Sequence, residues 1–176
     1  MARTRAAVLD GAARSIARYG SRRTTMADIA AMGGVAKATL YNHFRRKADV
    51  YAALAQTEVR RIAGECTERA GTDLPGALTL AAELAAEHPV VRRLAVDEPE
   101  VLTVMMALAA QDREEPVRAG VGAMLAAAGL RPDPDRVDLV LRWVISHVAA
   151  PGTPESRADG GSLLARLLRR HATPVD

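Results

Sequence analysis

The sequence predicts an all-α protein, and three observations predict it. Nearly half of the 176 residues are apolar, yet only one Trp, three Tyr and one Phe are present. The core must therefore come mainly from Ala, Leu, Val, Ile and Met, a mixture led by strong helix formers and poor in the aromatic residues that strands favour. Apolar positions recur at spacings of three and four through the N-terminal third, and prolines and glycines divide the rest into segments of helical length.

The elements follow in order. From Arg5 to Tyr19, Val8, Leu9, Ala12, Ala13 and Ile16 recur at helical spacing, and Gly20 is a stop signal, which gives a first helix. Thr25 and Asp28 have the spacing of a capping box ahead of Ile29 and Ala30, so a second helix starts there. Gly33 and Gly34 end it, the second glycine being able to adopt the positive φ of a tight turn between helices. A third helix is predicted from about Lys37 to Phe44, with Val35, Leu40 and Phe44 turned inward. The basic link Arg45 to Lys47 leads into a longer fourth helix carrying Val50, Leu54, Val59 and Ile62. Beyond Gly71, breaks fall at Leu74-Pro75-Gly76, His88-Pro89, Glu98-Pro99, Glu115-Pro116, Arg131 to Pro134 and Pro151 to Pro154. They predict helices at about 77–87, 90–96, 100–112, 116–129, 135–149 and 156–171, several opened by proline, which suits a first helical turn. The expected domains are a three-helix head, 1–47, and a helical body, 48–176.

A chain of this length can bury a core without staples. Cys66 is its only cysteine, which excludes an internal disulfide and a thiolate metal cluster within one chain and fits a cytoplasmic setting. No apolar run approaches the roughly 18 to 20 residues of a membrane span, so no membrane partner is expected. The opening MARTRAAVLDGAARSIARYG is Arg-rich and acid-poor like a transit peptide, but is read as the first helix because the next motif needs one there. Residues 1–50 hold ten Lys and Arg against Asp10, Asp28 and Asp49, a net +7, while the remainder carries −4 of the overall +3. A basic head on a mildly acidic body suggests that the head meets a polyanion. The alternative is a solvated basic surface with no partner.

On the third helix, Leu40 and Phe44 lie four apart on one face, which leaves Lys37, Ala38, Thr39, Tyr41, Asn42 and His43 on the outer arc. Such a surface fits a helix entering the major groove, which is about 12 Å wide and admits one helix. There Lys37 could donate to guanine, Ala38 could touch a thymine methyl, and Thr39 or Asn42 could reach a base or a phosphate. Arg22 and Arg23 stand ready for phosphates, and Arg3 and Arg5 form either a minor-groove arm or a disordered tail.

The segment Thr24 to Leu54, with Thr24-Thr25, Asp28-Ile29-Ala30, Gly34-Val35, Thr39-Leu40-Tyr41, His43-Phe44 and Lys47 in order, resembles the helix-turn-helix of the TetR family of bacterial repressors. That resemblance implies that Thr25, Tyr41, His43 and Lys47 hold the phosphate backbone, contacts that set register rather than sequence. Tyr41 as a packing residue and His43 as a solvated one remain alternatives. Departures from the family pattern are Ala36, where a Ser or Thr cap is usual, Ala38, where glycine is common, and Ser15-Ile16, where larger apolar or aromatic residues are usual. They put fine base specificity in doubt while leaving the fold.

The resemblance also implies that the last two helices pair with their copies in a homodimer. Leu139, Val140, Trp143, Val144, His147 and Val148, with Leu163, Leu164, Leu167 and Leu168, supply apolar faces for this or for intrachain core. A small-molecule pocket would be lined by Leu102, Met105, Met106, Met124 and Trp143, the alternative being that these methionines are core. His88, His147 and Cys66 lack metal-ligand spacing, so no metal, no cofactor and no catalytic residue is expected. The acid pairs Asp97-Glu98 and Glu114-Glu115 sit beside prolines and read as solvated loop charge. The function expected is a sequence-specific DNA-binding transcriptional regulator, a repressor released from a palindromic operator by a small-molecule effector. The alternatives are an effector-independent architectural DNA-binding protein and, lacking any nucleophile motif or phosphate loop, an enzyme.

Overall fold

The computed structural model describes residues 2–100, 103 and 116–170. Nine helices run through the described residues, with no strand among them. They are α1 (Ala2–Tyr19), α2 (Met26–Gly33), α3 (Lys37–His43), α4 (Lys47–Ala70), α5 (Leu74–Glu87), α6 (Pro89–Asp97), α7 (Pro116–Ala127), α8 (Pro134–Ala149) and α9 (Pro154–Arg170). The all-α expectation holds. Proline is the first residue of α6, α7, α8 and α9, where its missing N–H leaves no intrahelical bond unmade. The segment expected to be helical at about 100–112 lies largely outside the described residues.

Local chemistry sets the boundaries. The Thr25 hydroxyl accepts from the Asp28 N–H while the Asp28 carboxylate accepts from the Thr25 N–H, so the expected capping box is formed. Gly34 closes α2 at φ +63°, in the left-handed region. Ala36 starts α3 without a side-chain cap, as its methyl group dictates. α5 begins three residues before the expected start, because the Asp73 carboxylate accepts from the Gly76 N–H at 2.9 Å and Pro75 fits the first turn.

The chain divides into two compact units, Met1–Glu58 with Pro89–Val101, and Val59–His88 with Leu102–Asp176. In the first unit Val8, Leu9, Ala12 and Ile16 of α1 meet Ile29 and Ala30 of α2, Leu40 of α3, Phe44, and Val50, Ala53 and Leu54 of α4. In the second, α5 packs against both α8 and α9. Its core joins Leu74 and Leu78 to Leu125, Val137, Val140, Leu141, Leu164 and Leu168. Cys66 is buried there, and burial pushes its thiol up to about 11, which keeps it protonated and unreactive.

The apolar faces of α8 and α9 divide in two. Val140, Leu164 and Leu168 are core, whereas Leu139, Leu163 and Leu167 are 45%, 51% and 40% exposed. Trp143 is half-buried, with His147 edge-on at 4.8 Å, and lies close enough to α9 that a β-carbon on Gly160 would stand 3.2 Å from its indole nitrogen. Burial, then the Arg157 charge, hold the His147 imidazole below its ordinary value. Arg157 itself is buried and ion-paired to Glu87 at 2.8 Å, with the Pro151 carbonyl accepting at 2.9 Å.

Candidate nucleic-acid interface

The site is built on α3, a helix of seven residues seated by Leu40, which is fully buried, and by Phe44, buried just beyond its end. With that face fixed, Lys37, Ala38, Tyr41 and Asn42 are exposed, Tyr41 by 52%, while Thr39 and His43 are half-buried. The His43 ring is tilted against Phe44 at 6.5 Å between centroids. Burial thus sorts the arc that helical spacing alone left uniform. A short helix held rigidly by its inner face, with cationic, hydroxyl and amide groups on the other, can offer hydrogen bonds to base edges and phosphates.

α2 carries Thr25 at its start, exposed and engaged in the capping box. The two-helix unit under α3 is unusually close: a β-carbon on Gly33 would stand 2.7 Å from the Ala7 carbonyl oxygen. Arg3 and Arg5 lie inside α1, so the arm or tail expected of them is corrected to helix. The Arg5 guanidinium sits over the Phe44 ring, 5.6 Å from its centroid. Arg46 pairs with Asp49, while Arg45 is exposed beside it.

Lys47 is half-buried and its ammonium faces the link between α1 and α2. It donates to the carbonyls of Ser21 at 3.0 Å, Arg22 at 3.2 Å and Thr24 at 3.0 Å, and it sits 5.7 Å from the Tyr51 ring centroid. The Tyr51 hydroxyl donates to the same Ser21 carbonyl at 2.9 Å, and burial pushes its phenol up to about 12, so it remains a donor.

Glu98 corrects the reading of Asp97-Glu98 as solvated loop charge. Its carboxylate is buried, accepting from the Ser21 hydroxyl at 2.6 Å and the Arg22 N–H at 3.0 Å. Arg22 also pairs with Glu98 and Glu100. Burial alone would raise the Glu98 carboxyl, but the bonds from Ser21 and Arg22 outweigh it and hold the group below its ordinary value. No local pattern marks this residue, since its partners lie more than seventy positions away. Tyr51 was missed for a similar reason: at its place in α4 it reads as one more position on an amphipathic helix.

Of the five residues expected around a pocket, Met124 is buried core and Trp143 packs partly buried against the same core. Leu102, Met105 and Met106 lie outside the described residues. A groove of about 300 Å³ in the second unit is lined by Arg69, Pro75, Gly76, Thr79, Leu80, Glu83, Ala158 and Ser162. No group of three or more His, Cys, Asp or Glu among the described residues is placed to hold a metal ion, and no described helix is long and apolar enough to cross a membrane.

A capped helix, a glycine turn and a short second helix with a buried inner face and a polar outer one define a helix-turn-helix head. The family model described as bacterial regulatory proteins, tetR family, matches residues 8–54. Over 51 residues the chain is 43% identical to HTH-type transcriptional regulator TtgR of Pseudomonas putida, a match covering 29% of this chain and 24% of that protein. The matched segment is thus about a quarter of the length of the curated relative. The fold extends further. The TetR family repressor AlkX from Dietzia sp. strain DQ12-45-1b superposes with a TM-score of 0.69 at 17% identity, covering 95% of this chain and 98% of that one. A TetR-family regulator from Mesorhizobium loti, itself named only as putative, gives 0.62 at 16% identity, with 98% of each chain covered. Residues 8–54 are thus similar to the helix-turn-helix of the TetR family of bacterial transcriptional regulators, and beyond them the likeness is one of fold.

Proposed function

We propose that the protein is a sequence-specific DNA-binding transcriptional regulator, a cytoplasmic repressor that a small-molecule effector releases from a palindromic operator. The observation that supports this reading most is the outward face of α3, where Lys37, Ala38, Tyr41 and Asn42 are exposed around a fully buried Leu40. In this reading Lys37 and Asn42 donate to bases, Ala38 meets a thymine methyl, and Thr39 reaches a base or the sugar-phosphate chain. Thr25, Tyr41 and His43 hold phosphates, with exposed Arg45 adding charge.

Reading both halves of a palindrome takes two heads about one helical turn apart, hence a homodimer. The exposed Leu139, Leu163 and Leu167 are the surface proposed for that pairing. The effector would enter the second unit near Met124 and Trp143 and act by binding more tightly to the conformation that does not fit DNA.

The test is retention of the duplex upstream of the protein's own gene at low salt, with Lys37→Ala beside wild type. Lys37→Ala should alter base preference in a randomised-site selection, because a bidentate contact discriminates between bases. Failure of the wild-type protein to retain that duplex, or any other duplex from the parent genome, overturns the reading.

A further inference from the structure

We propose that Lys47 is a positioning residue that clasps the α1–α2 link from inside, so that its charge serves the protein's own carbonyls and not the DNA phosphates. The proposal rests on the DNA-binding reading only for its functional consequence. An ammonium has three protons, and each of the three nearest carbonyls, those of Ser21, Arg22 and Thr24, lies within 3.2 Å. The ring face of Tyr51 occupies a further side, and the Tyr51 hydroxyl meets Ser21 as well. A group so engaged would have to give up backbone partners to reach a phosphate.

The link is held from a second element too. Glu98, at the end of α6, takes the Ser21 hydroxyl and the Arg22 N–H, while Thr24, buried, donates its hydroxyl to the Gly20 carbonyl and accepts from Ser15. All of these groups belong to the first unit. The residue that follows is Thr25, the cap of α2, and α2 leads through Gly34 into α3. Fixing residues 21–24 therefore fixes where α2 starts, and with it the pose of the outward face of α3.

The experiment compares Lys47→Met, which keeps the stem and removes the donors, with wild type in two measurements on the full chain. Amide hydrogen exchange should show protection lost at Thr24 and Thr25 while the amides of Ala12 and Ile16 in α1 keep theirs. Binding to random-sequence duplex DNA, followed against salt, should weaken by about tenfold with an unchanged slope, a parallel displacement, since a lost charge-assisted bond shifts the pose and no phosphate contact is removed. A slope lower by about one unit identifies Lys47 as a phosphate contact and overturns the proposal. Unchanged exchange at Thr24 and Thr25 overturns it as well. If wild type binds no duplex, the regulator reading falls and the clasp is decided by exchange alone. Should Lys47→Met fail to fold, Tyr51→Phe, which removes one bond to the Ser21 carbonyl, must raise exchange at the same amides without altering the salt slope; no change there overturns the clasp.

Discussion

Gly11 of α1 and Gly33 of α2 meet backbone to backbone: a β-carbon on Gly11 would stand 2.5 Å from the Gly33 nitrogen and 2.6 Å from the Ile29 carbonyl oxygen. Neither obstacle can swing aside, because both are main chain. The α1–α2 pair that carries the head is therefore as close as it is only because both positions lack a side chain.

Gly11→Ala should destabilise the first unit despite alanine's better helix propensity, by about 1 to 3 kcal/mol, the usual range for overpacking a closed contact. Urea unfolding followed by a probe in the head measures it. A stability equal to or above wild type would show that α1 and α2 are not in this contact.

Glu98 should make the head acid-sensitive. Its carboxyl is held below the ordinary value, so it contributes stability that is fully present above about pH 4.5 and is lost as pH falls through its lower folded-state value. Arg22, Arg93 and Asp97 surround the same loop and the Tyr51 phenol remains neutral throughout. Wild type should thus exceed Glu98→Gln in stability at pH 7, and the gap should narrow below pH 4.5. A gap constant across that range would mean that the charge on Glu98 plays no part.

Ala36→Ser should stabilise the start of α3. The Ala36 backbone is already extended, at φ −66° and ψ 144°, as a cap requires, and only an acceptor oxygen is missing. Supplying one is worth about 0.5 to 2 kcal/mol. Thermal unfolding of the variant reads this directly, and a lower midpoint would contradict the assignment of Ala36 as the cap.

Leu163→Glu combined with Leu167→Glu should leave the second unit folded, since the core leucines beside them, Leu164 and Leu168, are untouched. If these exposed leucines form the homodimer surface, sedimentation should show a shift toward monomer together with weaker DNA binding. An unchanged mass would remove this face from the dimer.

What the sequence by itself determined is what short-range chemistry determines. The Thr25-Asp28 box, the left-handed Gly34, the uncapped Ala36 and the prolines opening four helices each involve partners within a few residues, so their geometry can be read from spacing. The inward pair Leu40 and Phe44 was legible because four residues return a helix to the same face. Only the tertiary structure decided which leucines of α8 and α9 are core and which face out, because two adjacent apolar stripes on one helix are indistinguishable until a neighbour covers one of them. It also decided that Lys47 turns to three carbonyls, that Glu98 is buried against a loop more than seventy residues earlier, and that Gly11 and Gly33 touch. In each case the partner is remote in the chain, and a side chain's role follows from what folding places within about 3 Å of it, which no local pattern encodes.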